Sequence, residues 1–182
     1  EDYDISTQSR KKIVNGKKYF SMGSIMWFTN LDHGRRHQKL PLMTMADNLK
    51  FSKNLKGQTA YAKYDNYDAI EVSAYKAIPS DYNGIMGVPI TFLDKYNPEQ
   101  FEILGITKTW YGGASKTYPI QTQVNKDGTE SLVSKLNDGP AIKVSKPPTG
   151  GTYYKIGKEY FIQRYARILI RHRAQAVKGK KK

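Results

Sequence analysis

The sequence contains no cysteine, which excludes a disulfide scaffold, a thiolate metal site and a thiol nucleophile. It fits a reducing cytoplasm, where disulfides are not maintained. Acidic residues are also scarce: 16 Asp and Glu stand against 30 Lys and Arg, a formal net charge of +14. No apolar run approaches membrane-spanning length, and the acidic opening EDYDIS is unlike a secretory signal. Hydrophobic residues make up only 38% of 182, so the core is modest, either one domain or one compact and one smaller lobe. Neither an internal repeat nor a coiled-coil heptad is visible.

What is abundant is positive charge, and its placement matters more than its total. Tyr153 to Lys182 holds ten Lys or Arg against Glu159 alone, a local net of +9. Such a field concentrates polyanions and speeds their capture. For the closing KGKKK a solvated basic tail is sufficient explanation. The arginine-bearing part, Arg164, Arg167, Arg171 and Arg173, points to nucleic acid.

Strand signals dominate. In KKIV-NG-KKYF, Asn15-Gly16 suits the positive dihedrals of a type I′ turn and is flanked by branched and aromatic residues, which predicts a hairpin. Ser24 to Thr29 reads as an apolar strand, Asn30 to Gly34 as a turn, and residues 43–62 as loop with one short helix. Asp68 to Val72 and Val88 to Leu93 read as strands. Asn97 caps a short helix with Pro98 first and Gln100 reaching back, and Phe101 to Gly105 is a second apolar run. Tyr118 to Val124 and Ala141 to Val144 are further strands, and Thr152 to Arg173 is a final hairpin turning at Gly157-Lys158.

The segment WFTNLDHGRRHQKL combines an aromatic pair with a basic turn. Trp27 and Phe28 are candidates for stacking on a base, with Arg35, Arg36 and Lys39 placed for phosphate. Neighbours in a strand point to opposite faces, so at least one of Trp27 and Phe28 belongs to a core, and the competing account places both there. His33 and His37 are spaced i, i+4, but Gly34 argues against the helix that would converge them, and no metal is expected. Asp65, Asp68 and Glu71 could be imagined around Mg²⁺; carboxylates that cap turns and pair with Lys63 are the simpler account. In RYARILIRHR, period two sets Arg167, Arg171 and Arg173 on one face with Leu169, suited to a phosphate backbone or a groove. The competing account is charge protection of an edge strand.

Three ordered motifs, IMWFTNLDHGRRHQKL, KYDNYDAIEV and VPITFLDKYNPEQFEILG, give most of the chain a resemblance to the EcoRI-type adenine-specific DNA methyltransferase family. The resemblance implies a cytoplasmic enzyme of restriction-modification type that moves a methyl group from S-adenosylmethionine to adenine N6 in double-stranded DNA. That chemistry uses a Gly-rich cofactor loop and an Asn/Asp-Pro-Pro-aromatic tetrapeptide, with the target base flipped out. Neither motif is present: in Asn97-Pro98-Glu99-Gln100-Phe101 the second Pro is Glu99 and the aromatic comes one place late, and Pro147-Pro148 lies between Lys146 and Thr149. In the family both motifs lie upstream, so the chain resembles the C-terminal portion and carries no expected catalytic residues or S-adenosylmethionine site of its own. The implied fold is α+β and strand-rich: the C-terminal part of a Rossmann-like methyltransferase sheet over residues 1–105, then a small basic β-rich recognition lobe over 106–182. Expected partners are double-stranded DNA and the N-terminal catalytic half, and no membrane. The alternative is a stand-alone nucleic-acid-binding module without catalysis.

Overall fold

A computed structural model of the protein describes residues 11–20, 31–32, 34–108 and 113–173. The chain divides into two units, Glu1–Asp32 and His33–Lys182. In the first, β1 (Lys11–Val14) and β2 (Lys17–Phe20) pair antiparallel, Val14 opposite Lys17. Asn15 and Gly16 take φ of 49° and 74°, the conformation that Asn-Gly adopts at least cost in a two-residue turn. The strand expected over Ser24 to Thr29 lies outside the described residues.

The second unit is strand-rich, with two sheets and one short α-helix, α1 (Met45–Phe51), among the described residues; Thr44 caps the helix through Asp47 N. The four-stranded sheet has the order β3 (Ile70–Glu71), β4 (Met86–Val88), β11 (Ile168–His172), β5 (Phe101–Ile106). β3 and β4 run parallel, and β11 is antiparallel to both β4 and β5. The five-stranded sheet is antiparallel throughout, in the order β7 (Glu130–Val133), β6 (Gln121–Val124), β9 (Tyr153–Ile156), β10 (Glu159–Gln163), β8 (Ala141–Val144).

Two expectations need correction. Val88 to Leu93 is not one strand: Pro89, with φ −65° and no N–H to give a ladder, ends β4, and Ile90–Lys95 winds into a 3₁₀ helix. Its Phe92 is wholly buried, edge-to-face on Phe101 at 5.3 Å. Glu159 to Arg173 is likewise not one strand. β10 ends at Gln163, and Arg164 to Arg167 carry the chain from one sheet into the other. Thr107 fixes that crossing: its N–H donates to Arg167 O at 2.9 Å, and Arg167 N–H donates to Thr107 Oγ1 at 2.7 Å.

β11 then enters between β4 and β5, and all three apolar residues of Ile168-Leu169-Ile170 are buried. Ile168 and Ile170 join the main core with Val72, Ile78, Met86, Val88, Phe92 and Phe101. Leu169, on the opposite face, packs in a second cluster with Tyr64, Tyr67, Ala69 and Ile142. A strand apolar on both faces is a central strand, so edge protection does not apply to it. Gly105, the boundary read from sequence, lies within β5. A third cluster, Leu136, Ala141, Tyr154 and Phe161, lies against the five-stranded sheet.

Candidate nucleic-acid interface

Three segments distant in sequence meet at the turn Asn97 to Gln100, which leads into β5. Asn97 is fully buried, and its Oδ1 accepts from the N–H groups of Glu99 (2.8 Å) and Gln100 (3.1 Å). Asn97 O accepts from Phe101 N at 3.0 Å, so Asn97-Pro98 closes one turn and passes into β5 without the short helix expected. Nor does Gln100 reach back to the cap. Its amide grips another strand of chain, Oε1 accepting from Leu40 N at 2.8 Å and Nε2 donating to Leu40 O at 3.0 Å.

That grip carries the basic turn onto the same site. Gly34–His37 is a 3₁₀ turn, and His37 Nδ1 lies 2.9 Å from Glu99 Oε1, with both side chains about half exposed. From the end of β11, Arg173 N donates to Gln100 O at 3.0 Å and Arg173 Nε to Pro98 O at 2.6 Å. Arg171 Nη2 pairs with Glu102 Oε2 at 2.8 Å, and this guanidinium holds the Glu102 carboxyl below its usual range. His172 bonds Pro79 O at 2.8 Å and lies against Phe101.

Lys39 and Arg173 line one cavity of about 270 Å³ with Gln100, Glu99 and His172. Lys39 and Leu40 also line a larger one of about 490 Å³. Lys39 is exposed, and among the described residues neither it nor Arg173 forms an ion pair. The site is therefore a set of cations on a turn whose backbone is fixed by side-chain amides. Such an arrangement is chemically suited to binding anions.

Of the residues singled out from sequence, Lys39 and Arg173 come together here, Arg171 stands two residues before Arg173 on β11 with its side chain on Glu102, and Arg36 sits half-buried beside His37. Trp27, Phe28 and the side chain of Arg35 lie outside the described residues. Arg164 is exposed but stands elsewhere, its N–H on Pro140 O at 2.9 Å in the crossing between sheets. Arg167 turns inward. Its side chain is 12% exposed and grips Glu71 by two bonds, Nη2 to Oε1 at 2.7 Å and Nε to Oε2 at 3.1 Å. Tyr64 Oη donates to the same carboxylate, and burial together with that carboxylate pushes its phenol far above the usual range.

The other acids of KYDNYDAIEV have structural partners too. Asp65 pairs with Lys116 and accepts from Tyr118 Oη at 2.7 Å, and Asp68 stands 4.0 Å from Lys63. No group of three potential metal ligands occurs among the described residues. Sequence reading missed Gln100 as the clamp, and Tyr75, Lys76 and Lys95 as neighbours of Lys39. A glutamine beside a turn carries no signal of a partner sixty residues away.

A family model described as "Adenine-specific methyltransferase EcoRI" matches residues 1–173. The chain is 45% identical over 108 residues to the Type II methyltransferase M.EcoRI of Escherichia coli, covering 59% of this chain and 31% of that protein. It is 48% identical over 90 residues to M.MgeORF184P of Mycoplasma genitalium and 41% identical over 90 residues to M.MpnI of Mycoplasma pneumoniae. In each of these two the match covers 50% of this chain and 26% of the relative. The matches thus span between about a quarter and a third of these relatives' length. No solved structure matches the chain. Among the described residues no helix is long and apolar enough to cross a membrane.

Proposed function

The chain belongs to the family of the adenine-specific methyltransferase EcoRI, and on that premise we propose that it is the DNA-contacting C-terminal portion of an S-adenosylmethionine-dependent adenine-N6 DNA methyltransferase of restriction-modification type, not catalytic by itself. The observation that carries the reading is the meeting of Lys39 and Arg173 beside the Asn97 to Gln100 turn, on a backbone fixed by Gln100. Cations held on a rigid turn bind phosphates without first being ordered, which suits a backbone-positioning contact.

In this reading Lys39 and Arg173 are the principal phosphate ligands, with Arg36 and Arg171 beside them and Arg164 as a separate contact. Arg167 is removed from the set by its buried pairing with Glu71. Trp27 and Phe28 remain the base-stacking candidates. The four-stranded sheet, with its parallel β3–β4 pair, serves as the closing part of a larger Rossmann-like sheet, and the five-stranded sheet as the small recognition lobe. The cofactor loop and the Asn/Asp-Pro-Pro-aromatic tetrapeptide come from the catalytic half, which also supplies S-adenosylmethionine binding, in the cytoplasm.

Two measurements test the reading. Fluorescence anisotropy of labelled duplex DNA against salt should give a steep slope, reduced by about 0.9 for each phosphate that Lys39→Gln or Arg173→Gln no longer neutralises. An unchanged slope in both would refute the interface. Radiolabelled methyl transfer to DNA should be absent from this chain alone, and activity from it would refute the division of labour. Salt-dependent binding of DNA with no methylating form of the natural protein would favour the stand-alone binding module.

A further inference from the structure

The larger cavity beside Lys39 has a chemistry that simple phosphate contact does not use. Its volume is about 490 Å³, within the range of small-ligand pockets, roughly 300–1,000 Å³. Leu40, Pro41, Met43 and Tyr75 supply apolar and aromatic lining, and Lys39, Lys76 and Lys95 supply cations. Asp94 is the lone acid of the lining, and it is already paired with Lys95 at 2.8 Å. Three lysines against one aspartate leave the lining at +2, so an occupant should be anionic. Lys76 Nζ stands 6.0 Å from the Tyr75 ring centroid, which puts a cation beside an aromatic face.

The walls are held rather than draped. Gln100 grips Leu40 on both backbone groups, and Met43 O accepts from Ser80 N at 2.8 Å and from Asn48 Nδ2 at 3.3 Å. Tyr75 opens one 3₁₀ helix and Lys95 closes another. A flat apolar body joined to a dispersed negative charge is the shape and charge such a cavity selects. We propose that it binds one unpaired nucleotide, the base against Tyr75 and the strap Leu40–Met43, the phosphate among Lys39, Lys76 and Lys95. The lining offers no Asn/Asp-Pro-Pro-aromatic acceptors, so the cavity holds a nucleotide without reacting with it. The choice of a DNA strand as the source rests on the proposed function; a free nucleotide presents the same chemistry.

The test compares three probes on the full chain: a paired duplex, the same duplex with one bulged nucleotide, and free dAMP followed by ligand-observed NMR. The unaltered chain should bind the bulged duplex on the order of tenfold more tightly than the paired one, the scale of one base stacked on an aromatic ring. Tyr75→Ala and Lys76→Gln should each lose most of that preference and keep paired-duplex affinity within about twofold. Tyr75→Phe, which retains the ring, should preserve it, and thermal melting checks that each variant is folded. Equal affinity for both duplexes together with saturable dAMP binding, lost in Lys76→Gln, would keep the site and make free nucleotide its source. A bulge preference unchanged in folded Tyr75→Ala and Lys76→Gln, or neither preference nor dAMP binding, overturns the proposal. Failure to bind either duplex while dAMP still binds would overturn the DNA-contact reading and leave this site standing.

Discussion

Replacing Arg167 by Met should be among the most destabilising single changes in the chain, because of what it leaves behind. The Glu71 carboxylate is 6% exposed and is held by two guanidinium bonds and the Tyr64 hydroxyl. Met fills much of the arginine's volume but leaves a buried charge with one donor. Breaking a buried ion pair from one side costs about 3–5 kcal/mol, a large part of the roughly 5–15 kcal/mol that holds a typical domain folded. With a urea slope of about 2 kcal/mol/M, the unfolding midpoint should fall by on the order of 2 M.

The double variant Glu71→Gln, Arg167→Met removes the charge and keeps an acceptor for Tyr64 Oη. It should recover more than half of the loss, since a neutral amide is far cheaper to bury than an unpaired carboxylate. Urea unfolding followed by tyrosine fluorescence and circular dichroism measures both variants. A midpoint shift below about 0.5 M in the single variant with an unchanged slope, or a double variant less stable than the single, would refute the reasoning.

Three further outcomes follow from the same structure. Gly87→Ala should cost about 1–3 kcal/mol, because a Cβ there would come within 2.6 Å of Tyr64 Cε2 on a ring fixed by Glu71; the same change in a Tyr64→Ala background should cost much less, as chemical denaturation of both can decide. Asp65 is held below the usual carboxylate range: burial alone would raise it, but the Lys116 and Tyr118 bonds outweigh burial. Its contribution to stability is therefore present above the unfolded-state value of about 3.9 and is lost as pH falls through the lower folded value. The melting-temperature gap between the unaltered chain and Asp65→Asn should be widest near neutral pH and close in acid. Glu102→Gln should release Arg171 from its ion pair and steepen the salt dependence of DNA binding by up to about 0.9; a slope that stays the same would remove Arg171 from the interface.

How much of the fold was legible in the sequence depended on the range of the interaction. The Asn15-Gly16 hairpin follows from local dihedral preference and was readable to the residue. So were the strand at Ala141 and the turn at Gly157, where pattern and punctuation coincide, while the strand opening at Phe101 runs through Gly105, its expected end, to Ile106. The Val88 to Leu93 reading failed because branched residues on both sides outweighed one Pro89, although proline's missing N–H decides the matter locally. The break at Arg164 to Arg167 has no such marker. It is imposed by Thr107 and Glu71, partners that only the fold brings near. The site was legible as a set of basic residues, and illegible as a geometry, because the amide that assembles it belongs to Gln100, sixty positions from the backbone it grips.

The terminal segment shows why a local charge count overstates the cations open to a polyanion. Arg164, Arg167, Arg171 and Arg173 look equivalent in sequence, yet each meets a different fate. Arg167 is consumed inside by Glu71, Arg171 is half-neutralised at the surface by Glu102, and Arg164 stands in the crossing between the two sheets. Of these four, Arg173 alone reaches the Asn97 to Gln100 turn, with no salt bridge to a carboxylate among the described residues, and its Nε is anchored on Pro98 O. The salt slope of DNA binding should therefore reflect the few cations around Lys39 and Arg173 rather than the whole +9 of the last thirty residues. The same burial that removes Arg167 from the interface helps to hold β11 in place, and β11 carries Arg171 and leads directly into Arg173. In the proposed interface the buried pair would thus act on anion binding indirectly, by fixing the strand on which the outward cations depend.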